Sequence, residues 1–295
     1  MATLTATGDE LRTIETNIPA RLDRLPWSRW HWRILVGLGT VWILDGLEVT
    51  IVGSIATAIS AKGSGLKISA ADVAGMAASM YVAGACFGAL LFGQLTDRFG
   101  RKRLFMITLG VYLAATIATA FSFAPWFFFL CRFITGMGIG GEYSAINSAI
   151  DELIPARHRG RIDIVINGTY WAGAAAGALL SVVALHVFSP LLNWRVCFAL
   201  GFILGTAILI VRRHVPESPR WLFIHGHEDE AEGVTRDIER QVAQYTGASL
   251  DGPDETITIR QRKTISLLEI ARTVVKTYPT RTVLGLSLFV GQAFL

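Results

Sequence analysis

Long apolar runs separated by short polar links occupy most of the chain from residue 34 onward. Six runs stand out: 34–59, 73–95, 104–123, 126–150, 164–188 and the shorter 196–211. A hydrocarbon core of about 30 Å takes roughly 20 helical residues to cross, and backbone groups in lipid must be satisfied within the segment. The pattern therefore predicts an all-α, multi-pass membrane protein with six spanning helices. A seventh run begins at Val283 and stops too early to span.

These runs divide the chain into four parts. We expect a cytoplasmic N-terminal segment at 1–33, a six-helix transmembrane bundle at 34–211, a cytoplasmic helical insert at 212–281 and the start of a seventh transmembrane helix at 282–295. Within the insert, 221–244 has the spacing of one or two short amphipathic helices, and 266–278 has a helical apolar face. The stretch 248–256, which contains Gly252-Pro253, predicts a loop.

Composition supports the membrane interpretation. Hydrophobic residues make up 52% of the 295 residues and charged residues 17%, whereas soluble domains carry roughly 25% charged residues. The net charge of +4 would suit a nucleic-acid binder, but the charges concentrate in 1–33 and 212–281, so no nucleic-acid partner is expected. Nucleotide-binding and metal-binding spacings are absent from the sequence, which predicts no cofactor and argues against an ATP-driven pump.

Basic residues set the expected orientation. The links after the second, fourth and sixth runs are rich in arginine, whereas the link after the third run has no charge. Lys and Arg accumulate on the cytoplasmic side of membrane proteins. The arginine-rich links and the N-terminus are therefore expected in the cytoplasm, with the protein in the plasma membrane.

Four charged residues interrupt the apolar runs: Asp45 and Glu48 in the first, and Arg132 and Glu142 in the fourth. Charged groups at membrane depth are costly and usually functional. Asp45 and Glu48 share one helix face, and the long side chain of Arg132 is expected to reach Glu48. Protonation of Glu48 would release Arg132, which makes this pair a candidate proton-coupling switch. A static buried ion pair that fixes packing is the alternative. Asp45 is a candidate proton relay or solute contact.

The second run ends in a specific motif, Gly93-Gln94-Leu95-Thr96-Asp97-Arg98-Phe99-Gly100-Arg101-Lys102-Arg103. Gly93 allows close helix approach and Gly100 allows a sharp turn. The motif resembles the signature loop of the major facilitator superfamily. The resemblance implies that Asp97, Arg98 and Arg101 form a cytoplasmic charge latch, which breaks and remakes during alternating access.

Three further segments, 132–142, 152–161 and 216–222, extend the resemblance to the sugar-porter and synaptic-vesicle-protein-2-like branch. Bacterial members of that branch include organic-acid and nicotinate carriers. The resemblance runs from 34 to the end of the chain and implies the N-terminal bundle of a twelve-helix carrier, built from 3+3 inverted repeats. It also implies that Glu152, Glu217 and Arg220 bridge the intracellular helices to the transmembrane ends, in one network with Arg159. Because the chain stops inside the seventh run, we expect the C-terminal half of the carrier to be missing.

The resemblance also bears on coupling and on solute contacts. Proton-coupled sugar porters place a helix-one acid against the helix-four arginine, which implies the coupling role for Glu48 and Arg132. They carry a glutamine on helix five and a glutamine pair on helix seven, whereas this chain departs from that pattern. It offers Asn167 and Trp171 on the fifth run and the single Gln292 on the seventh, and these three residues with Glu142 are the predicted solute contacts.

Taken together, the sequence predicts a secondary active transporter and not an enzyme. The expected activity is proton-coupled symport of a small organic solute, an organic acid or a sugar, by alternating access. Its expected partners are that solute, protons, the lipid bilayer and the missing C-terminal half. The alternative is a protein that does not transport: a half-carrier fragment, or a membrane partner or sensor derived from the same fold.

Overall fold

The structure, a computed structural model, describes residues 10–212, 217–247, 255–262 and 267–294. In chain order the elements are β1 Glu10–Thr16, α1 Ile18–Asp23, α2 Arg29–Ser60, α3 Ala70–Asp72, α4 Ala78–Phe99, α5 Arg101–Ala120, α6 Pro125–Leu153, α7 Ala156–Val187, α8 Asn193–Arg212, α9 Pro219–Ile224, α10 Glu228–Thr246, β2 Ile257–Arg262, α11 Leu267–Thr277 and α12 Pro279–Phe294. A π-helical turn, Val73–Ala77, joins α3 to α4.

The six longest described helices, α2 and α4 to α8, form the bundle. Here α2 packs most extensively against α7, α4 against α6, and α5 against both α6 and α8. In a 3+3 repeat, α2, α4 and α5 correspond in order to α6, α7 and α8. The contact α2–α7 then corresponds to the contact α6–α4, and the contact α5–α8 corresponds to itself. This is the pairing that a pseudo-two-fold axis between 3+3 repeats requires.

Helix length and composition support a membrane location. Within the described residues, four helices are long and apolar enough to cross a bilayer: Arg29–Ser60, Ala70–Phe99, Arg101–Ala120 and Ala156–Val187. The apolar part of α8, Asn193–Leu209, is shorter. The remaining bundle helix, α6, has 29 residues and carries Arg132 and Glu142 in its interior.

Close backbone approach explains why these helices pack in this way. A Cβ added at Gly84 or Gly88 of α4 would collide with the backbone of α6, at Phe133 and Met137 respectively. On α6, a Cβ added at Gly140 would collide with the backbone of Ala85 on α4. Small residues at such crossings let helices approach without side chains between them.

The insert contains more structure than its amphipathic pattern predicts. The expected helices within 221–244 and 266–278 are present as α9, α10 and α11, and most of the expected loop, 248–254, lies outside the described residues. The all-α prediction missed a small antiparallel sheet, in which β1 near the N-terminus pairs with β2 in the insert, for example Ile14 with Ile259. Each strand is short and the pairing joins distant parts of the chain, so no local sequence signal predicts it.

The N-terminal segment also connects the insert to the bundle. Ile18, Leu22 and Leu25 are buried in one apolar cluster with residues of α2, α6, α9 and α10. From α1, Arg21 donates hydrogen bonds to Glu232 at 2.7 and 2.8 Å and to Glu239 at 2.6 and 2.9 Å, both on α10. The hydrogen bond to Glu239 and that to Glu232 outweigh burial and raise the pKa of Arg21 above its usual value. We call this contact between α1 and α10 the N-terminal clamp.

Removal of Arg21 is expected to loosen the N-terminal clamp. Arg21→Ala deletes the charge-assisted hydrogen bonds that join α1 to Glu232 and Glu239, and leaves Glu232 paired with Arg236 and Glu239 with Arg24. The expected cost is about 1.5–3 kcal/mol. Hydrogen exchange of the α10 amides should then be faster than in the parent. Arg240→Ala is the control, because Arg240 is exposed and its ion pair with Asp237 spans 3.3 Å at the surface. Equal exchange rates in both variants would contradict the clamp.

The N-terminal clamp should also depend on pH. Burial tends to raise the pKa of Glu232, but hydrogen bonds from Arg21 and Arg236 outweigh burial and leave the pKa below its ordinary 4.5. A carboxylate whose pKa is lowered in the folded state contributes its stability above the unfolded value and loses it as pH falls through the folded value. The protection of the α10 amides from hydrogen exchange should therefore be constant above pH 4.5, the ordinary pKa of the group, and should decline as the pH falls below that value.

Candidate functional site

The predicted acid–arginine pair lies in the interior of the bundle. Glu48 on α2 and Arg132 on α6 form an ion pair in which each side chain is only 1% exposed. Tyr112 on α5 donates its hydroxyl to the second oxygen of Glu48 at 3.3 Å. The structure thus brings together the two residues that the sequence predicted to meet.

Other groups complete the surroundings of Arg132. Its second guanidinium nitrogen donates to the hydroxyls of Thr119 at 3.2 Å and Thr135 at 3.1 Å. The ring of Phe198, on α8, lies 4.9 Å from the guanidinium carbon. Four bundle helices therefore meet around one buried cation, and Glu48 is the only carboxylate paired with it in the described part of the chain. Neutralising Glu48 would remove the charge that holds Arg132 in this position.

Asp45, one turn from Glu48 on α2, has a different environment. It is 4% exposed, and both of its oxygens accept tyrosine hydroxyls, from Tyr81 on α4 and Tyr143 on α6. The ring of Tyr143 stacks on that of Trp42, with centroids 4.6 Å apart and an interplanar angle of 19°. Asp45 makes no ion pair with any residue that the structure describes, so neutral hydroxyls alone stabilise its carboxylate.

The predicted latch is built around Glu217 at the end of the bundle that carries the insert. Its carboxylate accepts hydrogen bonds from the backbone N–H groups of Arg101 at 3.0 Å and Lys102 at 3.1 Å, at the first turn of α5. A carboxylate is stabilised there by the unpaired N–H groups and by the helix dipole. Gly100 makes the preceding turn at φ +93°, and a Cβ there would lie 2.9 Å from an oxygen of Glu217.

Three further contacts join the elements that meet at this end of the bundle. Glu152, at the end of α6, pairs with Arg101 at 2.5 Å and accepts a hydrogen bond from Ser218. The indole of Trp221 on α9 donates to the backbone carbonyl of Asp97 at 2.8 Å. The turn between α4 and α5, the end of α6 and the start of the insert are therefore joined in one network.

Arg159 makes its ion pair outside this network, and its expected role in the latch with Glu217 remains a prediction. Its guanidinium pairs with Asp23 at 2.6 Å and donates to the carbonyl of Ile154 at 2.8 Å. The reason is the N-terminal segment, which places α1 and its Asp23 beside the start of α7. The N-terminal segment thus supplies the acid that pairs with Arg159.

The other latch residues make weaker contacts. Arg98 is exposed and lies 5.2 Å from the ring of Phe99. Arg220 is exposed and Gly93 is partly buried in α4. The carboxylate of Asp97 forms no ion pair within the described residues, so its contact with the insert is made by its backbone carbonyl. The charge exchange implied for Asp97 remains a prediction.

Comparison with known proteins decides the family. Residues 34–295 match the family model described as sugar (and other) transporter. The chain belongs to this family. Its members are transporters and not enzymes, so the bundle is that of a multi-pass membrane protein of the major facilitator type.

Individual relatives agree with the family. The niacin transporter NiaP of Acinetobacter baylyi is 31% identical over 224 residues, which cover 76% of this chain and 49% of the relative. The putative metabolite transport protein YdjK of Escherichia coli is 32% identical over 240 residues, covering 78% and 50%. The chain thus spans about half the length of the curated relatives it matches.

Solved structures show the same fold. The proton:xylose symporter XylE bound to 6-bromo-6-deoxy-D-glucose superposes with a TM-score of 0.63 at 21% identity, over 72% of this chain and 51% of that one. XylE from Escherichia coli in a partially occluded, inward-open conformation gives a TM-score of 0.62 at 22% identity, over 74% and 57%. The matched region is the N-terminal half of the major facilitator fold.

The predicted solute contacts are not gathered at one place. Glu142 is fully buried on α6 beside Tyr143. The amide of Asn167 on α7 donates to the carbonyl and carboxylate of Asp163, at 2.8 and 3.1 Å, one turn earlier. Trp171 is 74% exposed, and Gln292 lies in α12 with its side chain outside the described part of the structure. The roles of these four residues remain predictions.

Sequence reasoning missed the tyrosines of the site. Tyr81, Tyr112 and Tyr143 supply all the tyrosine hydroxyls that contact Asp45 and Glu48 in the described residues. Each of the three lies within an apolar run, where a buried tyrosine hydroxyl requires a polar partner. That requirement predicts that each hydroxyl has a polar partner, but it does not identify the partner.

Proposed function

We propose that the protein carrying this chain is a proton-coupled symporter that moves a small organic solute by alternating access. The supporting observation is the buried ion pair between Glu48 and Arg132, which is the only pairing of that arginine with an acid in the described residues. Proton and solute binding are coupled if both bias the same two-state element. This pair links α2 to α6 and can exist paired or, once Glu48 is protonated, released.

The network around Glu217 provides the second element that alternating access needs. Glu217 and Glu152 hold the turn between α4 and α5 against the start of the insert. The side chains of Arg101 and Glu152 are 18% and 6% exposed, so we propose that this network breaks and reforms as a unit when this end of the bundle opens and closes during a transport cycle. We assign them the role of a gate at this end of the bundle. In this proposal the protein spans the plasma membrane, and the arginine-rich links favour the cytoplasm as the side on which the gate lies.

Relatives indicate the size and kind of solute. NiaP is a niacin transporter and XylE is a proton:xylose symporter, so an organic acid or a sugar of about that size is the proposed range. The residues 34–211 form the N-terminal transmembrane unit of the carrier in this proposal, and residues 212–281 its cytoplasmic insert.

Substitution of Glu48 distinguishes proton coupling from the movement of solute across the membrane. Glu48→Gln keeps the size of the side chain and mimics the protonated acid, so solute exchange should persist while accumulation driven by a pH gradient should be lost. Uptake is measured with radiolabelled nicotinate and D-xylose, in cells whose copy of the gene encoding this chain carries the substitution.

Asp151→Asn is the matched control, because Asp151 is an exposed acid on α6. Cells with this substitution should accumulate solute as the parent does. If Glu48→Gln cells still concentrate solute against its gradient when a pH difference is imposed, Glu48 is a packing residue and the coupling proposal is wrong.

A further inference from the structure

The interior of the bundle holds an unequal number of acids and bases. Asp45 and Glu48 lie three residues apart on α2, and only Glu48 is paired with Arg132. The described residues place no cation beside Asp45, whose oxygens accept hydrogen bonds from two neutral tyrosines. A buried carboxylate without a counter-charge is costly in a low-dielectric environment. Either a proton or a bound cation can supply the missing positive charge when the surroundings of Asp45 are closed to water.

The groups around Asp45 suit an organic cation. Trp42 and Tyr143 are stacked on one another beside the carboxylate, and Tyr170 on α7 is near enough to interact with it electrostatically. Aromatic faces next to a carboxylate are the usual environment of bound ammonium and other nitrogen cations. The two tyrosine hydrogen bonds also leave free acceptor positions, because a carboxylate has about four.

An unused donor points to the same place. The indole N–H of Trp42 is buried and has no hydrogen-bond partner among the described residues. A buried donor without a partner is unusual in a folded protein and needs an explanation. A solute acceptor that reached the indole N–H would satisfy it, and Trp42 lies one helical turn before Asp45 on α2.

We infer that Asp45, with Trp42 and Tyr143, is the site at which the carrier recognises a positively charged nitrogen in its solute, such as an organic ammonium or an N-alkylated pyridine. The inference rests on the proposed transport function for its physiological meaning, but binding itself can be measured without transport. It adds a nitrogen cation to the organic acid and the sugar as a solute class for the transport assays. It also assigns different tasks to the two acids of α2: Glu48 holds Arg132 and Asp45 holds the solute.

Three probes that share a pyridine ring but differ in net charge test this inference. The 1-methylnicotinamide cation, neutral nicotinamide and anionic nicotinate are titrated at neutral pH into the purified chain in lipid nanodiscs, and tryptophan fluorescence reports binding. We expect the cation to bind about tenfold or more tightly than nicotinate. Equal affinities, tighter binding of nicotinate or no binding of the cation would overturn the inference.

Two variants test whether the preference for the cation arises at Asp45. Asp45→Asn should abolish the preference for the cation, and Tyr143→Phe should reduce it by removing one hydrogen bond that positions Asp45. Asp151→Asn, an exposed acid of α6, should keep the parental preference. A preference unchanged in Asp45→Asn would mean that the cation binds elsewhere and would contradict the assignment.

The pH dependence of the parent protein gives a test that needs no variant. A proton and an organic cation compete for one carboxylate, so cation binding should weaken as pH falls, whereas nicotinamide binding should not. The titratable and charged groups that face Asp45 are Glu48 on its own helix, Tyr81 on α4, Tyr143 on α6 and Tyr170 on α7, with Arg132 held by Glu48. Cation binding that does not change with pH would contradict a site on Asp45.

The outcomes of this test and of the transport test are distinct. Cation preference together with unimpaired accumulation in Glu48→Gln cells would overturn proton coupling at Glu48 and leave the Asp45 site standing. Loss of accumulation in Glu48→Gln cells without any cation preference would support coupling and overturn the Asp45 site.

Discussion

Arg132→Met is expected to lower the stability of the bundle by about 3–5 kcal/mol, the usual cost of leaving one member of a buried ion pair alone. The substitution leaves Glu48 fully buried, with a single hydrogen bond from Tyr112 at 3.3 Å as its remaining polar contact. It also removes the donors to Thr119 and Thr135. Unfolding in mixed detergent micelles, followed by tryptophan fluorescence, gives the free energy difference.

The double substitution shows whether the cost arises from the pair. Glu48→Gln with Arg132→Met removes both charges, and replacing a buried pair as a whole is often close to neutral. We expect the double variant to be more stable than Arg132→Met alone. Arg240→Met, at an exposed position on α10, is the control and should change stability by less than about 0.5 kcal/mol. If the double variant were less stable than Arg132→Met, the cost would not arise from an unpaired Glu48, and the account of the buried ion pair would be contradicted.

Gly140→Val should disrupt the contact between α4 and α6. A Cβ at Gly140 would overlap the backbone of Ala85, and rigid backbone cannot yield as the end of a side chain can. Overpacking a well-packed interior costs about 1–3 kcal/mol and occasionally more, and a contact with backbone belongs at the upper end. The measurement is the yield of folded protein in detergent together with its thermal unfolding.

Gly110→Val is the matched control for this substitution. Gly110 also lies in a bundle helix, α5, but a Cβ added there meets nothing within 4 Å. Its variant should fold with a yield near that of the parent. An equal loss of folded protein in the two variants would show that replacing a helical glycine is itself destabilising, and that the crossing of α4 and α6 is not the cause.

Residues in the bundle were predictable because lipid imposes strong local rules. Asp45, Glu48 and Arg132 are conspicuous in sequence, since charge within an apolar run is costly. The rise of 1.5 Å per residue then fixes their depth closely enough to predict that Glu48 and Arg132 meet. Glycines four residues apart, such as Gly136 and Gly140, likewise mark the close crossing of α6 with α4.

Contacts outside the bundle were not predictable in the same way. Arg159 was assigned to Glu217 and is found with Asp23, because nothing in the polar segment 1–33 signals that it folds back on the insert. The strand pairing of β1 with β2 depends on the same return of the chain. Tyr81 and Tyr143 were missed for another reason, since a tyrosine in an apolar run is ordinary until its hydroxyl is found on a carboxylate.

Proton movement that accompanies solute entry tests coupling at Glu48 most directly. Lightly buffered vesicles, prepared from cells expressing the gene that encodes this chain, receive nicotinate, D-xylose or 1-methylnicotinamide while a dye reports the external pH. The parent should make the medium more alkaline with the solute it carries, and Glu48→Gln should give no such change although labelled solute still exchanges. Equal alkalinisation by the parent and by Glu48→Gln would contradict the proposed role of the buried pair.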